Sequence, residues 1–293
     1  MERTSFAFGK SNRVRPRGKR QWQLANIELR TPIVQATLGD CDGPRLAAEV
    51  SRAGALGCLS VHDIRETVLR RRLARIRART ARPVLISFTY QWHRDSVPMT
   101  CLEAGFRHFQ VFWWNGPRFC RLIRQSGGTI FWQVGSDDQA REALDCGADI
   151  LVAQGTEAGG PVRSPYPLRE LIARLRDRTG DRVPIVAGGG LANAEDVAEV
   201  LSWGASAAML GTRFLLSEES QAERRCKSRL LRADSQQLVL DPRMIGDWPC
   251  APRRRLVTAR DEDKSALFAG SGLSRISDLL PAAEIVRRLT PPA

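Results

Sequence analysis

The stretch DILVAQGTEAGGPV, residues 149–162, joins a short apolar strand to a loop with three glycines and one carboxylate. Glycine has no Cβ, so a loop of this composition lets the backbone come close to a bound molecule. The alternative is a tight turn between a buried strand and the next helix. A strand followed by a loop and a helix is also the unit that recurs along the rest of the chain.

Eight apolar runs have the composition that a buried parallel strand needs, and helical patterns alternate with them. The predicted strands cover residues 32–36, 55–61, 84–88, 108–112, 129–134, 149–153, 183–187 and 207–210. The predicted helices cover residues 44–53, 63–79, 99–104, 118–125, 137–146, 168–178, 194–203, 221–231 and 281–289. Eight units of about 25 residues match an α/β fold of the (β/α)8 TIM-barrel type. A doubly wound open sheet is the alternative, because strand counts from sequence err by one or two.

The 293 residues are predicted to form a single domain. Residues 1–25 are expected to be a basic, disordered tail, and residues 26–293 a barrel with a C-terminal helical extension. An irregular basic segment is expected around residues 253–255. The formal charge of +13 is concentrated in residues 1–20 and in the arginines of residues 65–82. Because charge runs are usually solvated surfaces, no nucleic-acid partner is predicted.

Composition also bears on where the protein acts. No apolar run is long enough to span a bilayer, and the first residues lack the apolar region of a secretory signal. A transit peptide stays open as an alternative. The seven cysteines are scattered and odd in number, which is typical of reduced thiols. We therefore expect a cytoplasmic protein without a membrane partner or a metal site.

The loops that follow the strands of a barrel share one face, where catalytic residues concentrate. By the strand count these loops are residues 36–43, 60–63, 88–98, 112–117, 134–137, 154–163, 187–193 and 211–219. Three consecutive glycines follow the seventh predicted strand, and Gly211 and Thr212 follow the eighth. Backbone N–H groups at these two loops hold a phosphate in many barrels, and plain turns are the alternative.

Four segments resemble a known family. They are TPIVQATLGDCDGPRLAAEVSRAGALGCLS (31–60), QGTEAGG (154–160), AGGGLANAEDVAEVLSWGASAAMLGTRFLLSEES (187–220) and LFAGSGLSRISDLLPAAEIVRRL (267–289). They are similar to the nitronate monooxygenase (2-nitropropane dioxygenase-like) family of FMN-dependent TIM barrels, and the resemblance runs from about residue 30 to 290. The wider group also contains FabK-type enoyl-acyl-carrier-protein reductases.

The resemblance implies an FMN that carries the redox chemistry while the protein positions it. The implied phosphate contacts are Gly188, Gly189, Gly190, Gly211 and Thr212. The implied contacts of the flavin ring are Ala36, Thr37, Leu38, Ser87, Gln133, Gln154, Gly155, Gly159 and Gly160.

Three positions depart from the family pattern. The family loop reads EAGGH, and its histidine is the general base that removes the α-proton of a nitroalkane. Here that position is Pro161, which can neither accept nor donate a proton. The usual asparagine after the third strand is replaced by Ser87, and Ala-Pro-Met in the first loop is replaced by Ala36-Thr37-Leu38. Loss of a general base costs about 10²- to 10⁴-fold in rate where a proton must be abstracted.

Other residues are candidates for the missing role. His93 is the catalytic candidate, because it lies in the loop after the third strand, and His62 follows the second strand on the same face. His108 is predicted at the opposite end. Tyr166 and Arg163 are candidates for contacting an anionic substrate. Glu157 is expected to order its own loop and not to act in catalysis.

The resemblance therefore implies an FMN-dependent oxidoreductase that acts on a small, anionic molecule and exchanges electrons with NAD(P)H or oxygen. Weak turnover of neutral nitroalkanes is expected because of Pro161. The alternatives are an NAD(P)H-dependent reductase of an enoyl thioester or quinone, and an FMN-binding protein without catalysis.

Overall fold

The computed structural model describes residues 21–61, 64–88, 96–112, 117–242, 251–257 and 267–292. Two of the histidine candidates, His62 and His93, lie outside these ranges, as do residues 1–20 of the predicted tail.

The described strands and helices follow the predicted alternation closely. The strands are β1 (Trp22–Leu24), β2 (Ile27–Leu29), β3 (Ile33–Gln35), β4 (Gly57–Val61), β5 (Val84–Phe88), β6 (His108–Phe112), β7 (Thr129–Val134), β8 (Ile150–Gln154), β9 (Gly160–Pro161), β10 (Ile185–Gly188), β11 (Ala207–Leu210), β12 (Leu238–Asp241) and β13 (Arg253–Leu256). The helices are α1 (Pro44–Arg52), α2 (Glu66–Arg77), α3 (Ser96–Glu103), α4 (Pro117–Gln125), α5 (Asp137–Asp145), α6 (Leu168–Thr179), α7 (Ala194–Ser202), α8 (Thr212–Leu215), α9 (Arg224–Leu231) and α10 (Ala282–Leu289).

Eight parallel strands form the barrel, in the order β3-β11-β10-β8-β7-β6-β5-β4. The two outer strands of this order meet at a parallel bridge between Val34 and Leu56. The Gln35 side chain strengthens the seam, because its amide donates to the Cys58 carbonyl at 2.9 Å and accepts from the Cys58 N–H at 3.2 Å. The predicted TIM-like barrel is thereby confirmed, and the open sheet is excluded.

Alternate residues of each strand face opposite sides, which gives two separate apolar layers. The outer layer packs under the helices. The inner layer comprises residues such as Cys58, Leu85, Phe131 and Val152, together with apolar residues of the hairpin formed by β1 and β2. The hairpin lies at the N-terminal end of the barrel, because the Trp22 indole N–H donates to the Ser206 carbonyl just before β11. This end is therefore closed.

The hairpin corrects the sequence boundary of the tail, since Trp22–Leu24 falls within the predicted residues 1–25 yet forms a paired strand. A second correction concerns residues 253–255, which were expected to be irregular. They belong to β13, which pairs with β12 on one side and with β9 on the other. Backbone pairing with two neighbours, and not side-chain alternation, stabilises this basic strand.

The C-terminal extension completes the outer ring of helices. Helix α8 is a single turn, and α10 packs against α1, α7 and α8. The apolar face of α10 is buried by this packing. No helix in the described ranges is both long and apolar enough to cross a bilayer.

Candidate active site

A ring of residues faces the inside of the barrel at the carboxyl ends of the strands. Most of these residues lie two positions after a residue of the inner apolar layer, and the others pair with an inner-layer residue of a neighbouring strand. Because side chains alternate between the two faces of a strand, all of these positions face the inside of the barrel. We call them the mouth residues: Ala36, Ser60, Ser87, Gln110, Gln133, Gln154, Gly188 and Gly211. Six of them were predicted as contacts, whereas Ser60 and Gln110 were missed. Ser60 and Gln110 each lie between apolar residues of their strands, and this pattern was the available signal.

One side of the ring is polar and has unused hydrogen-bonding capacity. Gln110 donates to the Gln133 side-chain oxygen at 3.3 Å, and Gln154 donates to the Pro161 carbonyl at 3.0 Å. Within the described residues, Ser87 Oγ, Gln110 Oε1, Gln133 Nε2 and Gln154 Oε1 are buried and have no hydrogen-bond partner. Buried polar atoms in folded proteins are nearly always bonded. These atoms therefore line a surface suited to a ligand with both donors and acceptors.

The other side of the ring consists of Ala36, Gly188 and Gly211. A Cβ added at Gly188 would lie 3.6 Å from Met209 Cβ, and one added at Gly211 would lie 3.5 Å from Ala36 Cβ. Both distances are ordinary van der Waals contacts. Packing within the protein therefore does not require glycine at either position, and the small residues leave space at the mouth.

The loop after β8 is held by Glu157. Its two carboxylate oxygens accept from the Leu168 N–H at 3.1 and 3.0 Å, as expected of a residue that orders its own loop. A Cβ at Gly155 would lie 2.4 Å from Glu157 Oε2, and a Cβ at Gly159 would lie 2.6 Å from the Ala269 carbonyl carbon. Gly155 and Gly159 thus have a packing reason of their own, independent of any ligand.

The two loops after β10 and β11 lie next to the C-terminal segment 269–272. The Gly270 N–H donates to Thr212 Oγ1 at 3.0 Å, and a Cβ at Gly190 would lie 2.8 Å from Ser271 Oγ. None of the hydrogen bonds between described residues uses the N–H groups of Gly189, Gly190 or Thr212. These N–H groups remain able to bind the oxygens of an anion such as a phosphate.

Segment 269–272 was missed as part of the site. Sequence reasoning used it only as part of the resemblance, although its GSG pattern resembles the glycine loops it contacts. Its fit is close, because a Cβ at Gly272 would lie 2.1 Å from the Gly190 carbonyl oxygen.

The position of the implied general base lies beside a positively charged strand. Pro161 belongs to β9, where its Cα partner in β13 is Arg253. The adjacent Arg254 donates to the Thr156 carbonyl at 2.9 Å, and burial lowers the pKa of its guanidinium, with Glu157 opposing the effect. A guanidinium stays protonated even so. The surroundings of Pro161 therefore favour an anion over a proton acceptor.

The first loop contains a buried carboxylate that sequence reasoning did not single out. Asp42 accepts from the N–H groups of Leu38 at 3.0 Å and Ser60 at 2.9 Å, and also from the Ser60 hydroxyl. The Thr37 hydroxyl is in turn hydrogen-bonded to the Ser60 hydroxyl. Burial raises the pKa of Asp42 from 3.8 to about 6, and the hydrogen bonds from Ser60 and Leu38 partly offset the rise.

His108, Tyr166 and Arg163 are not among the mouth residues. His108 starts β6 at the opposite end of the barrel, and burial lowers the pKa of its imidazole to about 4, with help from Arg77 and Arg107. The Tyr166 ring packs against the outer apolar layer under the Arg174 guanidinium, 4.1 Å from the ring centre. Arg163 is exposed.

Comparison with known proteins identifies similar families and similar folds. A family model described as nitronate monooxygenase matches residues 121–248. A nitronate monooxygenase from Neurospora crassa is 32% identical over 217 residues, which cover 60% of this chain and 57% of that protein. Over these residues the chain is similar to the nitronate monooxygenase family. Members of this family are flavin-dependent oxidoreductases, and the chain is an enzyme of this kind.

A relative from Mycobacterium tuberculosis is 28% identical over 267 residues, which cover 90% of this chain and 73% of the relative. It is named (3aS,4S,5R,7aS)-5-hydroxy-7a-methyl-1-oxo-octahydro-1H-indene-4-carboxyl-CoA dehydrogenase. The chain spans 62% of the namesake from Rhodococcus jostii, so it is shorter than several relatives it matches.

Two solved structures share the fold. The nitroalkane oxidase from Streptomyces ansochromogenes has a TM-score of 0.77 at 25% identity, with 89% of this chain and 95% of that chain covered. FabK from Thermotoga maritima has a TM-score of 0.82 at 23% identity, with 89% and 92% covered, and this likeness concerns the fold alone.

Proposed function

We propose that this protein binds FMN at the mouth residues and oxidises a small anionic substrate such as a nitronate. The observation that carries the proposal is the asymmetry of the ring. Buried polar atoms without partners lie on one side, and residues without bulk, Gly188 and Gly211, lie on the other. An isoalloxazine ring has donors and acceptors along one edge and a flat face that needs space. Both requirements fit the residues present.

The chain's own residues have separable tasks under this proposal. The N–H groups of Gly189, Gly190 and Thr212 would hold the phosphate, while Gln133 and Gln154 would bond the ring. When bound, the flavin supplies the electron-accepting centre, and the protein supplies position and electrostatics. Arg254 makes the neighbourhood of Pro161 positive, which favours an anionic substrate.

Pro161 decides which form of the substrate is used. A nitronate is already deprotonated, so its oxidation does not need a base at this position. A neutral nitroalkane must first lose its α-proton, and loss of a positioned base costs about 10²- to 10⁴-fold. We therefore infer that nitroethane nitronate reacts much faster than neutral nitroethane.

The proposal is tested by mixing purified protein anaerobically with ethyl nitronate, NADH and NADPH in turn. The expected result is a protein with flavin absorbance that ethyl nitronate bleaches and air restores. Bleaching only by NADH or NADPH would favour a reductase of a quinone or enoyl thioester. No bleaching by any donor would favour an FMN-binding protein without catalysis, and equal rates with nitroethane and its nitronate would contradict the role assigned to Pro161.

A CoA thioester is the second candidate substrate, because a basic surface continues from the site. Strand β13 runs from Arg253 beside Pro161 to Leu256, and Leu256 borders a cleft of about 510 Å³. Arg225, Arg229 and Arg232 also line this cleft. At about 3.3 Å per residue the cleft begins roughly 10 Å from Pro161. Guanidinium groups suit the phosphates of CoA, and the Mycobacterium tuberculosis relative bears the name of a CoA-ester dehydrogenase.

The second candidate predicts that free CoA inhibits oxidation of ethyl nitronate. Arg232→Ala should weaken this inhibition several-fold, whereas Arg178→Ala, at an exposed position on α6, should not. Equal inhibition of both variants, or none of the wild type, would remove the CoA thioester as a candidate.

A further inference from the structure

A continuous chain of three hydroxyl and carboxyl groups leads from the buried interior to the mouth. Asp42 lies between the first loop and β4 and is 1% exposed. Its Oδ2 accepts from the Ser60 hydroxyl, and the Ser60 hydroxyl is bonded to that of Thr37. Thr37 is half-buried and is the second residue after β3, next in sequence to the mouth residue Ala36.

We propose that Asp42, Ser60 and Thr37 form a proton relay that delivers a proton to an electron acceptor reduced at the mouth. The inference rests on the proposed function, because it concerns a substrate reduced or oxidised at the same mouth. Thr37 would contact the substrate, and Ser60 and Asp42 would act through it.

Proton transfer along this chain is balanced. In the delivering direction Asp42 gives its proton to Ser60, Ser60 gives its own to Thr37, and Thr37 gives its own to the substrate atom. Three O–H bonds break, while two O–H bonds and one bond from hydrogen to the substrate form. One proton moves outward and no electron moves with it. The electrons that make the substrate atom basic come from the nitronate or nicotinamide donor of the proposed function.

The direction of the hydrogen bonds within the relay can also reverse. When Asp42 is protonated it donates to Ser60, and the Thr37 hydroxyl then donates toward the mouth. When Asp42 is ionised it accepts from Ser60, and Thr37 turns into an acceptor at the mouth. The protonation state of Asp42 therefore sets whether Thr37 donates a hydrogen bond to a molecule bound at the mouth or accepts one from it. Asp42 itself does not contact that molecule.

Asp42 is the member of the relay whose pKa lies closest to neutral pH, and the titratable groups around it do not replace it in this role. Burial raises its pKa to about 6, and the Arg72 guanidinium of α2 slightly opposes the rise. The thiols of Cys58 on β4 and Cys41 in the preceding turn have raised pKa values, chiefly because of burial, and stay neutral. Asp40 in the same turn is exposed.

The experiment compares Asp42→Asn and Thr37→Val, which cut the chain, with Thr37→Ser, which keeps the hydroxyl. The first measurement is the absorbance spectrum of bound FMN between pH 5 and 8. Wild type and Thr37→Ser should show an inflection near pH 6, and both chain-cutting variants should lose it. This titration needs no electron donor. A purely structural role of Thr37 would not remove the inflection in Thr37→Val while keeping it in Thr37→Ser.

The second measurement is the reoxidation of the reduced protein by benzoquinone. At pH 5.5 the rate of the two chain-cutting variants should fall about 10²-fold, the size expected for loss of a positioned proton donor. Thr37→Ser should stay close to wild type. An inflection retained in Thr37→Val, or unchanged rates in both chain-cutting variants, would overturn the relay while leaving FMN binding intact. A wild type that binds no FMN would instead overturn the proposed function, and the relay with it.

Discussion

Burial of Asp42 predicts that the free energy of unfolding falls as pH rises from about 4 to about 6. The pKa of its carboxyl is raised from 3.8 to about 6 in the folded protein. Between these values the folded protein holds a proton that the unfolded chain has lost, so folding is disfavoured as pH rises. At about 1.4 kcal/mol per pH unit, the difference amounts to about 3 kcal/mol. The contribution is fully present below pH 4 and is lost as pH rises through 6.

The assay is urea unfolding followed by tryptophan fluorescence at several pH values between 4 and 7. Asp42→Asn should remove about 3 kcal/mol of the pH dependence seen in wild type. Asp138→Asn is the matched control, because the Asp138 side chain is 83% exposed. If the wild-type and Asp42→Asn curves run parallel within about 0.5 kcal/mol, the reasoning from burial is refuted.

Three further predictions concern the loops around the mouth. Gly159→Ala should lower the free energy of unfolding by about 1–3 kcal/mol, because its Cβ would meet the Ala269 backbone, whereas Gly211→Ala should change it by less than about 0.5 kcal/mol in the same urea titration. Arg255→Met should lower the free energy of unfolding by about 3–5 kcal/mol, because it removes the guanidinium that pairs with the buried Asp241 carboxylate. Amide hydrogen exchange should then become faster in β12 and β13, and unchanged exchange would contradict this prediction. Pro161→His should raise the rate with neutral nitroethane relative to its nitronate by about 10²-fold or more, and an unchanged ratio would argue against the assignment of that position.

The barrel could be predicted from the sequence because its strands are short apolar runs separated by helical patterns. All eight predicted strands correspond to barrel strands with small shifts at their ends. Residue 188, for example, ends β10 and was predicted in the following loop. The hairpin could not be recognised, because strands of three residues are too short for periodicity to show. β13 was missed because three consecutive arginines have no alternation, and because one of its two pairing partners, β9, is distant in sequence.

The site was predictable only in part. The glycine loops stand out in the sequence, and the resemblance assigned them a ligand. Ser60 and Gln110 did not stand out, because one polar residue in an apolar strand faces inward or outward depending on register. The register across the barrel becomes known only from the pairing of Ser60 with Ser87 and of Ser87 with Gln110. The relay partner Asp42 was hidden for a similar reason, since its contacts with Ser60 span 18 residues.

The most direct test of FMN binding at the mouth is a titration of wild type and Gly188→Val with FMN, followed by flavin fluorescence. Position 188 ends a strand, where valine is favourable, and its Cβ has an ordinary contact distance, so the variant should fold. Wild type should bind FMN, and Gly188→Val should bind at least tenfold more weakly, a loss of about 1.4 kcal/mol. A wild type that binds no FMN, or a variant that binds as tightly as wild type, would contradict the placement of the flavin at the mouth of the barrel.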